Sequence, residues 1–144
     1  MLKVKIVNDS GQALPAYATE GAAGLDLRAK LEAPLTLGSL ERCLVPTGIY
    51  IQLPAGYEAQ IRPRSGLAIK HGLTLLNTPG TIDSDYTGEI KIIMVNLSKE
   101  NYQISPGERI AQMVVAAYQQ VDWEEVQELQ DTARSSGGFG STGK

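Results

Sequence analysis

Three short segments hold most of the side chains that could do chemistry. The densest runs Asn77-Thr78-Pro79-Gly80-Thr81-Ile82-Asp83-Ser84-Asp85-Tyr86-Thr87-Gly88-Glu89. Its acids could serve as a general base or meet a cation, but Asn, Asp, Gly and Pro are also ordinary turn residues. Ile82 and Tyr86 set apolar faces among those acids, and a two-stranded hairpin offers free N–H and C=O groups that imitate a base-pairing partner. The second segment is Ile61-Arg62-Pro63-Arg64-Ser65-Gly66. Pro63 favours an extended approach, and a helix N-terminus beside arginines attracts anions. Strand arginines are often merely solvated, so this is moderate evidence for phosphate. The third is Ala22-Ala23-Gly24-Leu25-Asp26-Leu27. Asp26 alternates in face with its leucine neighbours, and such a carboxylate more often just faces solvent.

Other chemistries fare worse. Cys43 is the single cysteine, so no intrachain disulfide can form, and a reducing compartment is the simplest reading. It sits in an apolar stretch and reads as core rather than nucleophile. His71 is the single histidine and reads as a surface or turn residue; one His and one Cys cannot build the usual structural zinc site. Gly138 to Lys144 matches most of a phosphate-binding loop motif, but no helix or hydroxyl residue follows the lysine. The net charge of −3 argues against a nucleic-acid polymer as the main partner, while a single nucleotide needs only a few local cations. The N-terminus lacks the apolar run of a signal peptide, and no stretch reaches the length of a membrane span. A soluble, cytoplasmic protein is expected.

These residues must be positioned by short strands. The 144 residues suit one domain, and 42% hydrophobic content supports a packed core. Leu2, Val4 and Ile6 alternate with lysines as in a half-buried strand. Further strands are expected around Leu25 to Leu27, Leu35 to Leu37, Cys43 to Leu53, Tyr57 to Ile61, Leu73 to Leu76, Glu89 to Leu97, Tyr102 to Ile104 and Arg109 to Tyr118. Turns such as Pro54-Ala55-Gly56 and Ser105-Pro106-Gly107 separate them, a rhythm typical of sandwiches and barrels. The acid-rich segment, between two of these strands, reads as the tip of a hairpin. Only Ser65 to Lys70 suggests a helical turn, opened by a capping-type serine. From Thr132 onward the chain is too rich in Gly and Ser to pack a core, yet it holds Phe139, the only phenylalanine. Composition alone leaves a frayed end and an aromatic lid, with Arg134 reaching for phosphates, equally open.

Together the segments resemble the five ordered motifs of the trimeric dUTP diphosphatases. Residues 23–27 resemble the first, 62–68 the second, 80–89 the third, 107–113 the fourth and 134–143 the fifth. Each alone is weak to moderate; five in order over nearly the whole chain is a strong signal. The resemblance implies an all-β, jelly-roll-like distorted β-barrel over residues 1–131 and a flexible Gly-rich C-terminal lid over residues 132–144. It implies a homotrimer with shared active sites, Mg²⁺ as cofactor, and hydrolysis of dUTP to dUMP and pyrophosphate. In such enzymes this limits uracil in DNA and supplies dUMP for thymidylate synthesis.

It also implies roles. Asp83 would be the general base, and Asp26 would stand near the water shell of Mg²⁺. Arg64, Ser65, Gly66, Gln112 and Arg134 would hold phosphates or the attacking water. Asn77, the backbone of Gly80, Thr81, Ile82 and Asp83, and backbone near Lys91 would read uracil. Tyr86 would lie against the deoxyribose, and Phe139 would close over a neighbouring subunit's ligand. The apolar run Ile110 to Tyr118 would be buried on both faces by trimer contacts. The alternatives are a dCTP deaminase-like enzyme of the same fold and a nucleotide sensor without catalysis. A capsid-type structural jelly roll leaves the Phe139 tail unexplained.

Overall fold

A computed structural model describes residues 1–138. In it the apolar periodicities become ten strands and one short helix, all strand pairs antiparallel. In chain order they are β1 (Lys5–Asn8), β2 (Leu25–Arg28), β3 (Leu35–Leu37), β4 (Arg42–Gln52), β5 (Tyr57–Arg62), α1 (Ser65–His71), β6 (Leu73–Leu75), β7 (Gly80–Ile82), β8 (Glu89–Asn96), β9 (Tyr102–Ile104) and β10 (Arg109–Ala117). One four-stranded sheet has the order β1-β4-β8-β6 and a second the order β2-β10-β5-β7, while β3 and β9 form a ribbon. This is the expected jelly-roll-type all-β fold.

Strand alternation builds the core. Leu27, Val45, Ile49, Ile51, Ala59 and Ile61 turn inward, as do Ile90, Ile92 and Met94 on β8 and Ile110, Ala111 and Met113 on β10. Burying each large side chain is worth about 1.5–3 kcal/mol. Polar groups inside are satisfied: Asn96 donates to the carbonyls of Leu37 and Glu100 at 3.0 and 2.8 Å. Between β4 and β8 the register slips, Pro46 facing Lys91 but Tyr50 facing Glu89. The extra residues place Gly48 at φ 67°, where a Cβ would stand 2.7 Å from Ser10 backbone. Only glycine fits that bulge without strain.

Several expectations need correction. The first strand starts later and is more exposed than expected: β1 runs Lys5–Asn8 with all four residues exposed, and of Leu2, Val4 and Ile6 only Val4 packs against the core, because β1 is an edge strand whose apolar side opens on a groove. β10 does not contradict the expected trimer burial: within one chain Val114, Val115 and Ala116 are half-buried and Ala117 is exposed, surface that a partner would cover. Ser65 is not the helix cap; Arg64 occupies that position with extended backbone and no side-chain capping bond. The helix does end as helices commonly do, with Gly72 left-handed at φ 65° and Lys70 and His71 in its last turn.

The acid-rich segment is more than a hairpin tip. β6 and β8 do pair, Leu75 opposite Met94. Between them the chain crosses to the second sheet, where β7 pairs with β5, Gly80 opposite Ile61. This crossing docks the segment beside β5, the strand that ends in Arg62.

Candidate functional site

The second sheet decides which chemical groups become neighbours. Its order β2-β10-β5-β7 puts Asp26, Gln112, Arg62 and Thr81 on adjacent strands. Gln112 lies opposite both Asp26 and Arg62, and Gln60 lies opposite Thr81. Segments distant in sequence therefore meet along one ladder.

The first cluster centres on Asp26. Its Oδ1 accepts from Arg64 Nε at 3.0 Å and its Oδ2 from Arg109 Nη1 at 3.2 Å. Arg64 Nη1 also donates to the Arg109 carbonyl at 3.2 Å. Asp26 is thus held by two cations rather than hydrated on a solvent face. These side chains remain a quarter to a half exposed, so each pair adds about 0.2–1 kcal/mol to folding at most. That is too little to explain the arrangement by stability. Two guanidiniums and one carboxylate leave one positive charge in excess, which suits an anionic ligand.

Gln112 belongs to the same cluster. Its Nε2 donates to the Pro63 carbonyl at 3.0 Å, joining β10 to the bend before α1. A Cβ on Gly24 would stand 2.4 Å from Gln112 Oε1, so the small residue makes room for the amide. Ser65 and Gly66 are exposed in the first turn of α1.

The second cluster is a cleft of about 420 Å³ beyond β7, lined by Thr81, Ile82, Asp83, Tyr86, Glu89 and Lys91, with Leu44 and Ile93 as an apolar floor. Asp83 is exposed, and its carbonyl accepts from Tyr86 N at 3.2 Å. The turn is closed by Tyr86 Oη, which donates to the Glu89 carbonyl at 2.9 Å. A Cβ on Gly88 would lie 2.6 Å from Tyr86 Cζ, so the ring lies tight over that glycine. Glu89 ties the cleft to the β4 bulge by accepting from Gly48 N at 2.9 Å, and Lys91 Nζ stands 3.6 Å from its carboxylate. Asn77 is exposed beside Gly80, where a Cβ would meet its amide at 3.1 Å.

The structure thus brings Asp26, Arg64 and Gln112 together, and Thr81, Ile82, Asp83, Tyr86 and Lys91 together. None of Asp26, Arg64 or Gln112 lines the cleft. Arg134 joins neither group; its Nε donates to the Gly137 carbonyl at 2.8 Å within a local turn. Phe139 lies outside the described residues. Leu44, Ile93 and Arg109 belong to the clusters but were not singled out from sequence. No local signal pointed to Arg109, which lies 83 positions from Asp26. The two side chains set aside as bland keep that reading. His71 is exposed at the end of α1. Cys43 packs against the core; burial first, and the Glu41 charge second, push its thiol up, away from thiolate chemistry.

No helix among the described residues is long and apolar enough to cross a membrane. Residues 11–143 match the family model for dUTPase. A deoxyuridine 5'-triphosphate nucleotidohydrolase of Finegoldia magna is 60% identical over 142 residues, covering 99% of each chain. Its counterpart in Fusobacterium nucleatum is 57% identical over 143 residues, covering 99% of this chain and 98% of the relative. Among solved structures, the dUTPase of Staphylococcus bacteriophage 80alpha with dUpNHpp superposes with a TM-score of 0.86 at 26% identity, covering 100% of this chain and 99% of the other. A mutant dUTPase of phage phi11 of S. aureus, described with a structural Mg(II) ion, matches at a TM-score of 0.78 and 21% identity, covering 91% of this chain and 99% of the other.

Proposed function

The chain belongs to the dUTPase family, and on that premise we propose that it hydrolyses dUTP to dUMP and pyrophosphate. The observation that carries this reading is the cleft beyond β7, with Asp83 at its rim and Leu44 and Ile93 as an apolar floor. The Arg64–Asp26–Arg109 cluster, elsewhere on the chain and one positive charge in excess, offers a phosphate-suited surface to a neighbouring subunit's cleft. A flat base suits that floor, and the backbone of Gly80 to Asp83 along the open edge of β7, with Asn77 and backbone near Lys91, suits the polar edge of uracil. A close-fitting cleft leaves no room for the thymine methyl and offers the wrong donors to a cytosine amine. Tyr86 packs against the deoxyribose, where a 2′-OH would clash.

Asp83 acts as general base. It takes a proton from a water as that water attacks the α-phosphorus, and pyrophosphate leaves with the bond electrons. Arg64, Ser65 and Gly66 hold phosphate oxygens through guanidinium, hydroxyl and N–H, while Gln112 orients a phosphate or the water. Asp26 has both oxygens engaged by arginines, which suits a contact to the water shell of Mg²⁺ better than direct ligation. When bound by the substrate's phosphates, Mg²⁺ supplies charge neutralisation at those oxygens.

The site is completed in a homotrimer. One subunit gives the cleft with Asp83, a second the Arg64 cluster, and the third its lid over residues 132–144 with Arg134 and Phe139. The exposed Ile6 and Val7 on β1, the half-buried Val115 on β10, and the exposed Trp123 and Leu129 beyond it supply apolar surface for such contacts. The test incubates the protein with Mg²⁺ and, separately, dUTP, dCTP, dTTP and UTP, following pyrophosphate and ammonia. Pyrophosphate from dUTP alone is expected. Ammonia from dCTP would make it a deaminase, and silence with all four a nucleotide sensor.

A further inference from the structure

We infer that Arg109 is a positioning residue, keeping the guanidinium of Arg64 turned outward for phosphate by occupying the second oxygen of Asp26. This rests on the proposed hydrolysis of dUTP.

A carboxylate beside a lone arginine tends to take it bidentately, through two parallel N–H bonds. Here it does not. Asp26 holds Arg64 through Nε only, at 3.0 Å, because its Oδ2 is engaged by Arg109 Nη1 at 3.2 Å. Arg109 also accepts from Arg64 Nη1 through its backbone carbonyl at 3.2 Å. Arg64 has five N–H donors; these contacts use Nε and one N–H of Nη1, leaving three, one on Nη1 and both on Nη2, for a ligand. A planar group pinned at two nitrogens, with both N–H of the third free, is already oriented for a phosphate.

The backbone favours this arrangement. The β10–β2 ladder shifts between Arg109, opposite Arg28, and Ala111, opposite Leu27. Such a bulge breaks the strict alternation of faces and re-aims a side chain. The preceding turn is anchored by Glu108, which accepts from Ser105 N at 2.8 Å and from Tyr102 Oη. Without Arg109, Oδ2 would lose its cation and turn to Arg64 Nη2, and the cluster would lose its excess positive charge.

The experiment compares the wild-type enzyme with Arg109→Gln and Arg109→Lys, measuring binding of dUpNHpp and of dUMP, with dUTP kinetics alongside. Arg109→Gln should weaken dUpNHpp binding about ten- to a hundredfold, the loss of charge-assisted hydrogen bonding to the phosphates. It should raise KM more than it lowers kcat and leave dUMP affinity close to wild type. Arg109→Lys, which keeps a cation on Asp26, should recover most of the loss. Where glutamine prevents folding, Arg109→Met keeps the aliphatic stem and reads the same contact. Unchanged dUpNHpp binding, or an equal loss for dUMP and dUpNHpp, would overturn the role. The readout is separable from turnover: a wild-type protein that binds dUpNHpp but releases no pyrophosphate from dUTP refutes the hydrolase reading, and the affinity ratios still decide Arg109.

Discussion

Gly88 shows how little space the Tyr86 side of the cleft leaves. A methyl group there would lie 2.5 Å from Tyr86 Oη, and the ring would have to move off the turn that its bond to the Glu89 carbonyl closes. Gly88→Ala should therefore lower the preference for dUTP over UTP by about tenfold, the scale of one badly fitting group in a pocket. The melting temperature should change little, since the substitution is at a half-buried turn outside the core. Competition of the two nucleotides for one enzyme preparation checks this, and unchanged selectivity would remove Tyr86 from sugar recognition. Asp83 is the other decisive position at this scale. Asp83→Asn should keep nucleotide binding while turnover falls about 10²- to 10⁴-fold, the usual contribution of a positioned base. If activity persisted at wild-type level, another group would have to take the proton.

At the scale of elements, the short strands are held by polar links as much as by their ladders. β9 is three residues long, and Tyr102 on it donates to Glu108 just before β10. Burial, then the hydrogen bond and charge of Glu108, push the Tyr102 phenol up to about 12. The fold favours the neutral phenol. Its contribution is complete below pH 10, the ordinary tyrosine value, and is lost as pH rises through about 12. Absorbance titration of the tyrosines should show one late step near that value, and Tyr102→Phe should abolish it and flatten the loss of stability above pH 10. A late step unchanged in Tyr102→Phe would assign it to another tyrosine. Because this link anchors the turn before Arg109, the same variant reports whether the turn can loosen without disturbing the arginine cluster.

The whole-molecule proposal is that no single chain holds a complete site. Within one chain the Asp26 cluster and the Asp83 cleft do not share lining residues. Asp83→Asn and Gln112→Ala should each be nearly inactive alone. Co-expressed in equal amounts, they should regain activity, since random assembly leaves about a quarter of shared sites with both residues intact. Purified mixed assemblies assayed for pyrophosphate release check this. No recovery, in assemblies shown by mass to be mixed, would place each site within one chain.

Local chemistry was legible from residue order alone. Alternating apolar residues must bury one face, so the strands around Leu25, Tyr57, Leu73, Glu89 and Arg109 could be read directly, as could the turn residues between them. Five ordered motifs likewise carried the family without any coordinates. What needed tertiary structure was everything set by contacts between distant residues. Asp26 meets Arg64 and Arg109 across 38 and 83 positions, and nothing local to Asp26 announces either partner. The crossing of β7 to β5 was also hidden, because a polar turn segment has no periodicity to say which sheet it will join. The exposure of β1 was misread for a related reason. Alternation marks a face as apolar, but whether that face meets the core or lies open at an edge depends on strand order, which only the folded sheet decides.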